Sequence, residues 1–105
     1  KNRAISIIGA QPKEGSRIPG IRKWSPNYVP SIFNESLVDK IVEVSEDEAK
    51  AVTQRLAKEE GVFAGMSSGG AVASALKVAE QIESGIIVTI ICDRGDRYLS
   101  SNLFE

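Results

Sequence analysis

The stretch Ile86-Ile-Val-Thr-Ile-Ile91 decides the expected fold class, because it is uniformly apolar and rich in β-branched residues. Runs of this kind are typical of strands that are covered on both faces in a parallel sheet. Gly85 precedes the run and is expected to end a helix, and a polar cluster follows the run directly. We therefore expect a buried strand over 86–91 that directly follows a helix.

Two helical patterns precede this run. Ser45 is a candidate N-cap with Glu48 three residues later, which is the pattern of a capping box. Gly61 supplies the expected C-terminal stop of this first helix. The second helix is expected to open within Gly65-Met-Ser-Ser-Gly-Gly70 and to run as far as Gly85.

Two further strands and one long loop complete the pattern. Ala4-Ile-Ser-Ile-Ile-Gly9 is a short apolar run closed by glycine, and 38–44 alternates as a half-buried strand does. Residues 10–36 carry all four prolines of the chain and are expected to form loop and short turns. Such a long connection is either functional or a sign that a partner is missing. The alternation of strands and helices predicts an α/β fold with a parallel sheet and flanking helices.

Length and composition restrict the classes of function that this chain can have. A chain of 105 residues suffices for one small domain. A net charge of −1 gives no electrostatic reason to expect a nucleic-acid or anionic-membrane partner, and the apolar run 86–92 is far too short to span a bilayer. Nothing resembles a secretory leader, and the single cysteine suits a reducing compartment, so we expect a cytoplasmic protein. With no histidine and one cysteine, a zinc site or a histidine-based triad is set aside.

Two polar clusters follow extended segments and are candidates for a ligand site. One is Gly65-Met-Ser-Ser-Gly-Gly70 at the start of the second helix, and the other is Cys92-Asp-Arg-Gly-Asp-Arg97 after the apolar run. Ligands of open α/β sheets bind beyond the carboxyl ends of the strands, so parallel strands would bring both clusters to one rim.

Each candidate also has a purely structural interpretation. The small residues of 65–70 let a ligand approach the positive end of a helix, but they also suit an N-cap serine and close packing. Cys92 could be a nucleophile, although a lone cysteine at a strand end is more often a packing residue. The charged residues of 93–97 could recognise an anion or pair with one another. Arg22 and its basic neighbours in the long loop could face an anion or be solvated.

Four segments recur, in order and spacing, in one family. The chain resembles the cysteine synthases, which are fold-type II (tryptophan synthase β-like) pyridoxal-phosphate enzymes, and in particular their B type, the O-acetylserine sulfhydrylases B. The last of the four segments favours the B type through its Cys-Asp-Arg-Gly-Asp-Arg-Tyr sequence. The segments are Ile8-Gly-Ala-Gln-Pro12, Gly15-Ser-Arg-Ile-Pro-Gly-Ile-Arg-Lys-Trp24, Gly65-Met-Ser-Ser-Gly-Gly-Ala71 and Ile91-Cys-Asp-Arg-Gly-Asp-Arg-Tyr-Leu-Ser100.

The resemblance implies that residues 1–105 are the C-terminal part of such an enzyme. The parent would be a homodimer that uses pyridoxal 5'-phosphate to replace the acetoxy group of O-acetylserine. The incoming group would be sulfide or, in the B type, thiosulfate, and the product L-cysteine or S-sulfocysteine. The family's cofactor-binding lysine, its Gly/Thr-rich phosphate loop and its substrate-carboxylate loop have no counterpart here, so no catalytic residue is expected in this chain. Alone, the chain is expected to be inactive.

The resemblance implies functional roles for three residues. Ser67 matches the serine that hydrogen-bonds the pyridine nitrogen of the cofactor, whereas Cys92 and Arg22 match substrate-binding positions near the active-site mouth. Lys23 departs from the second arginine of many B-type sequences. Because a neutral hydroxyl does not hold a proton on the ring nitrogen, it favours elimination of a good leaving group. The alternative hypothesis is a stand-alone small α/β module that binds an anionic metabolite at a helix N-terminus. A partner-binding protein is less supported, because no exposed amphipathic stripe is evident.

Overall fold

Two strands pair in parallel and two helices follow them in the chain. A computed structural model describes residues 2–104. Strand β1 (Ile8–Pro12) lies beside strand β2 (Lys40–Val44), with Ile8 opposite Lys40 and Pro12 opposite Val44. Helix α1 (Glu46–Glu60) and helix α2 (Met66–Ala79) come next. The expected α/β class with a parallel sheet and flanking helices is confirmed.

Strand β1 is shifted from the strand expected over 4–9. The chain turns at its start, where Asn2 accepts hydrogen bonds from the backbone N–H groups of Ala4 (2.9 Å) and Ile5 (3.3 Å). The carboxylate of Asp39 then accepts the N–H of Ile7 at 2.7 Å. The ladder therefore begins only where β2 becomes available as a partner, at Lys40.

Helix α1 is confirmed with both of its expected ends. The hydroxyl of Ser45 accepts the N–H of Glu48 at 3.1 Å, and the carboxylate of Glu48 accepts the N–H of Ser45 at 2.7 Å. Gly61 ends the helix in the left-handed conformation, at φ 66°. Glu48 also pairs with Lys77 of α2 at 2.9 Å. The hydrogen bonds from the Ser45 backbone and from Lys77 lower the pKa of Glu48.

The small residues of α2 let it approach α1 closely. A Cβ on Gly69 would overlap the side chain of Thr53 and would lie 2.5 Å from the carbonyl oxygen of Ala49. Thr53 is fully buried and its hydroxyl donates to that carbonyl at 2.7 Å. The core beneath this contact consists of Ile18, Val44, Ala49, Met66, Ala73 and Leu103.

The strand expected over 86–91 is wrong for this structure. Helix α2 ends at Ala79, before the expected stop at Gly85, and 86–91 belongs to no sheet. Its side chains are exposed, from 93 % for Ile86 to 39 % for Ile87. A strand exists only through pairing, and the two strands among residues 2–104 pair with each other. The loop expected over 10–36 is confirmed beyond Pro12, with short 3-10 turns at Pro26–Tyr28 and, at its end, Glu35–Leu37. None of the helices described could cross a membrane.

Candidate functional site

The two polar clusters expected to converge lie against each other. The segment Phe63–Gly65 meets the segment 92–98 through an isolated antiparallel bridge between Ala64 and Arg94. The N–H of Gly95 donates to the carbonyl oxygen of Phe63 at 3.0 Å. The start of α2 and the segment after the apolar run therefore form one rim.

Asp93 caps helix α2 from a distant part of the chain. The N-cap position is Gly65, which has no side chain to accept hydrogen bonds. The Asp93 carboxylate takes this role and accepts the N–H groups of Gly65 (3.2 Å), Ser67 (3.4 Å) and Ser68 (3.2 Å). The alternative that a serine caps this helix is therefore wrong, because both serines lie inside its first turn.

Hydroxyl groups complete the shell around Asp93. The side chain of Ser68 donates to the carboxylate at 2.5 Å, and Tyr98 donates to it at 2.8 Å. Burial raises the pKa of Asp93, but hydrogen bonds from Ser68, Tyr98 and Ser67 outweigh it, and the net pKa is lowered. Burial and the hydrogen bond to Asp93 raise the pKa of Tyr98. Asp93 is thus an ionised carboxylate whose oxygens are already occupied by five donors.

Ser67 and Cys92 are brought into direct contact. The Ser67 hydroxyl oxygen lies 3.1 Å from the Cys92 sulfur, and the Ser67 side chain is buried. The neighbouring Ser68 hydroxyl accepts the N–H of Cys92 at 3.0 Å and of Asp93 at 3.2 Å. Because Ser68 fixes the backbone of 92–93, the exposed thiol of Cys92 is held at the start of α2.

Arg22 forms no hydrogen bond with Ser67 or Cys92, although the loop that carries it packs on Ser67. Gly20, two residues away, packs so tightly on Ser67 that an added Cβ would lie 2.9 Å from the Ser67 Cβ. Gly20 also has φ +91°, a conformation that other residues rarely adopt. Arg22 itself is exposed and lies over the Trp24 ring, with 6.0 Å from the guanidinium carbon to the ring centre. It lines a cleft of about 440 Å³ between β1 and the long loop.

The remaining charged residues of 92–97 are surface groups. Arg94 pairs with Asp96 at 3.0 Å, and both side chains are largely exposed. This is the surface pairing that the sequence left open as the alternative to anion recognition, and such pairs contribute little stability. Arg97 is exposed as well.

The sequence did not reveal the roles of Asp93, Tyr98 and Gly20. One signal for Asp93 was available, because a helix that opens on glycine needs a capping acceptor from elsewhere. The contact of Gly20 with Ser67 had no signal, since a glycine in a proline-rich loop suits many turns equally well.

The donor set at this rim fits the ring-nitrogen end of an aromatic cofactor. The carboxylate nearest to Ser67 is saturated by its five donors, so a ring nitrogen beside Ser67 would meet a neutral hydroxyl. Gly20 and Gly65 allow close approach here, because a Cβ on either would strike Ser67 or Asp93. Among residues 2–104, no group of three or more acidic or sulfur ligands is arranged to hold a metal ion.

Comparison with known proteins gives a consistent result. The family model described as "Pyridoxal-phosphate dependent enzyme" matches residues 1–93. Cysteine synthase B of Pseudomonas aeruginosa is 52 % identical over 105 residues, which are 100 % of this chain and 35 % of that protein. Cysteine synthase B of Escherichia coli is 51 % identical over 99 % of this chain and 34 % of its own length. The crystal structure of cysteine synthase from Entamoeba histolytica matches with a TM-score of 0.85 and 31 % identity, covering 98 % of this chain and 33 % of that one. The chain therefore spans about a third of the length of these relatives.

Proposed function

Because the chain belongs to the pyridoxal-phosphate dependent enzymes, we propose that it is the C-terminal part of a cysteine synthase of the B type. The proposal rests on one arrangement above all. A neutral, buried Ser67 hydroxyl lies at the start of α2, while the Asp93 carboxylate that is bonded to that helix start is occupied by its own donors. This arrangement suits a ring nitrogen that is to be bound without being kept protonated.

The proposed reaction replaces the acetoxy group of O-acetylserine with sulfide or thiosulfate. When bound, pyridoxal phosphate supplies the electron sink that stabilises negative charge on the substrate. Ser67 would hold the ring nitrogen through its hydroxyl, which adds no charge at that position. Cys92 shapes the pocket beside Ser67, and Arg22 supplies positive charge at the cleft. The lysine that holds the cofactor and the phosphate loop would come from the part of the parent that this chain does not span.

The setting of the parent enzyme is also part of the proposal. We infer a homodimer acting in the cytoplasm, as the resemblance to B-type cysteine synthases suggests. Small-molecule substrates are the expected partners, rather than nucleic acids or membranes.

The competing hypothesis of a stand-alone module that binds an anion at the start of α2 is weakened by Asp93. An anionic metabolite would have to displace an ionised carboxylate from the N–H groups of Gly65, Ser67 and Ser68. The two negative groups would also repel each other at short range.

A joined protein tests the proposed function. The part of Pseudomonas aeruginosa cysteine synthase B that precedes the matched region is fused to residues 1–105, and the product is purified with pyridoxal phosphate. We expect one cofactor bound per chain and formation of cysteine from O-acetylserine and sulfide. The intact Pseudomonas enzyme is the positive control, and residues 1–105 alone should be inactive. A folded, cofactor-loaded joined protein that forms no cysteine would refute the proposal.

A further inference from the structure

The Asp93 carboxylate is bonded to the same helix start that carries Ser67. It accepts the backbone N–H of Ser67 at 3.4 Å. Among residues 2–104 the carboxylate forms no ion pair, so neutral hydrogen-bond donors and the positive end of helix α2 offset its charge. A carboxylate close to a pyridine nitrogen raises the proton affinity of that nitrogen. The proposed function needs an uncharged partner beside Ser67, and it therefore depends on where the oxygens of Asp93 are held.

The two oxygens of Asp93 are held by different parts of the chain. The oxygen Oδ1 accepts hydrogen bonds from the start of α2 itself, namely from the N–H groups of Gly65 and Ser68 and from the Ser68 hydroxyl. The oxygen Oδ2 accepts the N–H of Ser67 at 3.4 Å and the hydroxyl of Tyr98 at 2.8 Å. Tyr98 thus supplies the short hydrogen bond to Oδ2, from outside helix α2. Without the Tyr98 hydroxyl, Oδ2 would keep only the long bond to Ser67 among the donors that the structure describes.

Close packing holds the Tyr98 hydroxyl in this place. Tyr98 ends a 3-10 turn that begins at Gly95, and the N–H of Gly95 donates to the carbonyl oxygen of Phe63 at 3.0 Å. Gly95 lies so near to Phe63 that an added Cβ would be 2.5 Å from its ring. The Tyr98 ring lies against Gly65, where an added Cβ would overlap both Tyr98 and Asp93. Two glycines therefore let the turn and the ring approach the start of α2, within reach of the carboxylate.

We propose that Tyr98 is a positioning residue of the cofactor site: its hydroxyl holds the Asp93 carboxylate against the start of α2, so that the ring nitrogen meets the neutral hydroxyl of Ser67. The inference rests on the proposed function, which supplies the ring nitrogen. Asp93 and Arg97 are the charged groups that act on Tyr98, and Arg97 is exposed to solvent. The charge that concerns the ring nitrogen is that of Asp93, and Tyr98 acts through it rather than on the cofactor itself.

The ring nitrogen of the cofactor reports this role directly. In the joined protein loaded with ¹⁵N-labelled pyridoxal phosphate, Tyr98→Phe keeps the ring of the side chain and removes its hydroxyl. The titration of the pyridine nitrogen should then move to higher pH by about half a unit, less than the roughly one to three units that a full charge at close range causes. Without cofactor, the carboxyl ¹³C signal of Asp93 should also titrate at higher pH, since a donor to the charged form is lost. Asp93→Asn identifies that signal by its disappearance.

The second tyrosine of the chain provides a matched control. Tyr28 is 77 % exposed, and its hydroxyl forms no hydrogen bond with the residues that the structure describes. Tyr28→Phe should leave both titrations at their wild-type values.

A double substitution shows whether Tyr98 acts through the charge of Asp93. In the Asp93→Asn protein the carboxylate is absent, so adding Tyr98→Phe should not move the titration of the pyridine nitrogen. A purely structural effect of the lost hydroxyl would move it by the same amount with and without the charge. The comparison therefore separates positioning of a charge from packing.

The outcomes distinguish this inference from the proposed function. A nitrogen titration that is the same in Tyr98→Phe and wild type would overturn the inference, as would an equal shift in the Asp93→Asn protein or a Tyr98→Phe variant that no longer binds the cofactor. An inactive joined protein whose bound cofactor shows the shift refutes the function and keeps the inference. An active joined protein without the shift does the reverse. A joined protein that binds no cofactor overturns both.

Discussion

The hydroxyl oxygen of Ser67 lies 3.1 Å from the sulfur of Cys92, although the two residues are 25 positions apart. The contact exists because the neighbouring residues Ser68 and Asp93 are joined by three hydrogen bonds. The Ser68 backbone N–H and hydroxyl donate to the Asp93 carboxylate, and the Asp93 backbone N–H donates to the Ser68 hydroxyl. The start of α2 and the segment 92–98 therefore behave as one structural unit. A substitution in either of these two segments is therefore expected to perturb the other.

The first prediction concerns Asp93 as the cap of α2. Asp93→Ala removes hydrogen bonds to an ionised acceptor, and such bonds contribute about 1.5–3 kcal/mol. We expect the free energy of unfolding to fall by about 2 kcal/mol in urea denaturation of residues 1–105. Asp96→Ala is the matched control, since Asp96 is exposed and paired only with Arg94, and it should cost about 0.5 kcal/mol or less. Equal losses in the two variants would contradict the capping role.

The same carboxylate predicts a pH dependence. The folded pKa of Asp93 is lowered, so its contribution is fully present above the pKa of an unfolded aspartate, about 4. That contribution is lost as the pH falls through the lowered folded value. The stability difference between wild type and Asp93→Ala should therefore be constant near neutral pH and shrink below about pH 4. A difference that persists unchanged in acid would mean that the Asp93 charge contributes nothing.

The third prediction concerns the contact between the helices. Gly69→Ala would drive a methyl group into Thr53 and the Ala49 carbonyl, and overpacking of this kind costs about 1–3 kcal/mol. That cost exceeds the gain of about 1 kcal/mol that alanine brings to a helix interior. Gly70→Ala is the control, because its methyl group would meet the mobile end of Ile21. Thermal unfolding should place Gly69→Ala below wild type and below Gly70→Ala, and the reverse order would contradict the close packing.

Local signals predicted helix α1 well. Its capping box and terminal glycine act within a few residues of the helix they bound, so Ser45, Glu48 and Gly61 could be assigned from sequence alone. The start of α2 was placed correctly for the same reason. Its cap could not be identified, because the acceptor Asp93 is 28 positions from Gly65 and becomes a neighbour only through the fold.

For the segment 86–91, in contrast to helix α1, the local sequence did not suffice to predict the structure. Its composition predicted a buried strand, but the structure leaves the segment unpaired and exposed, because pairing and burial depend on neighbours that composition does not describe. The candidate site could be predicted from the sequence only in part. Ser67 and Cys92 were named from a resemblance, and the structure brings them together, whereas the contact of Ser67 with Gly20 depends on the path of the long loop.

The fourth prediction concerns Cys92 in the joined protein. Its thiol lies beside the Ser67 hydroxyl, and residues 1–105 contain no histidine to activate it as a nucleophile. Cys92→Ser keeps a hydrogen-bonding group beside Ser67 and should release acetate from O-acetylserine at a rate within about threefold of wild type, a barrier change below about 0.7 kcal/mol. The preference between sulfide and thiosulfate is expected to change. Loss of acetate release in a folded, cofactor-loaded variant would show that the thiol is required.

The last prediction separates the roles of two neighbouring serines in the joined protein. In the proposed function, Ser67→Ala would remove one neutral hydrogen bond to the cofactor, worth about 1 kcal/mol, so pyridoxal phosphate should bind about fivefold more weakly. The stability of the cofactor-free protein should hardly change, because Asp93, and not Ser67, caps the helix. Ser68→Ala should do the reverse, since the Ser68 hydroxyl bonds to Asp93 and to the Cys92 backbone. Equilibrium dialysis and urea denaturation measure the two effects independently.

A charged substitution at the same position makes the test sharper. Ser67→Asp would put a carboxylate beside the ring nitrogen and raise its proton affinity. Because the proposed reaction depends on a neutral partner there, cysteine formation should fall further than in Ser67→Ala, even where the cofactor remains bound. The pyridine nitrogen of the bound cofactor should also titrate at higher pH, as followed by its ¹⁵N chemical shift. If Ser67→Asp keeps both the wild-type rate and the wild-type nitrogen titration, the hydroxyl of Ser67 does not face the ring, and its contact with Cys92 serves packing alone.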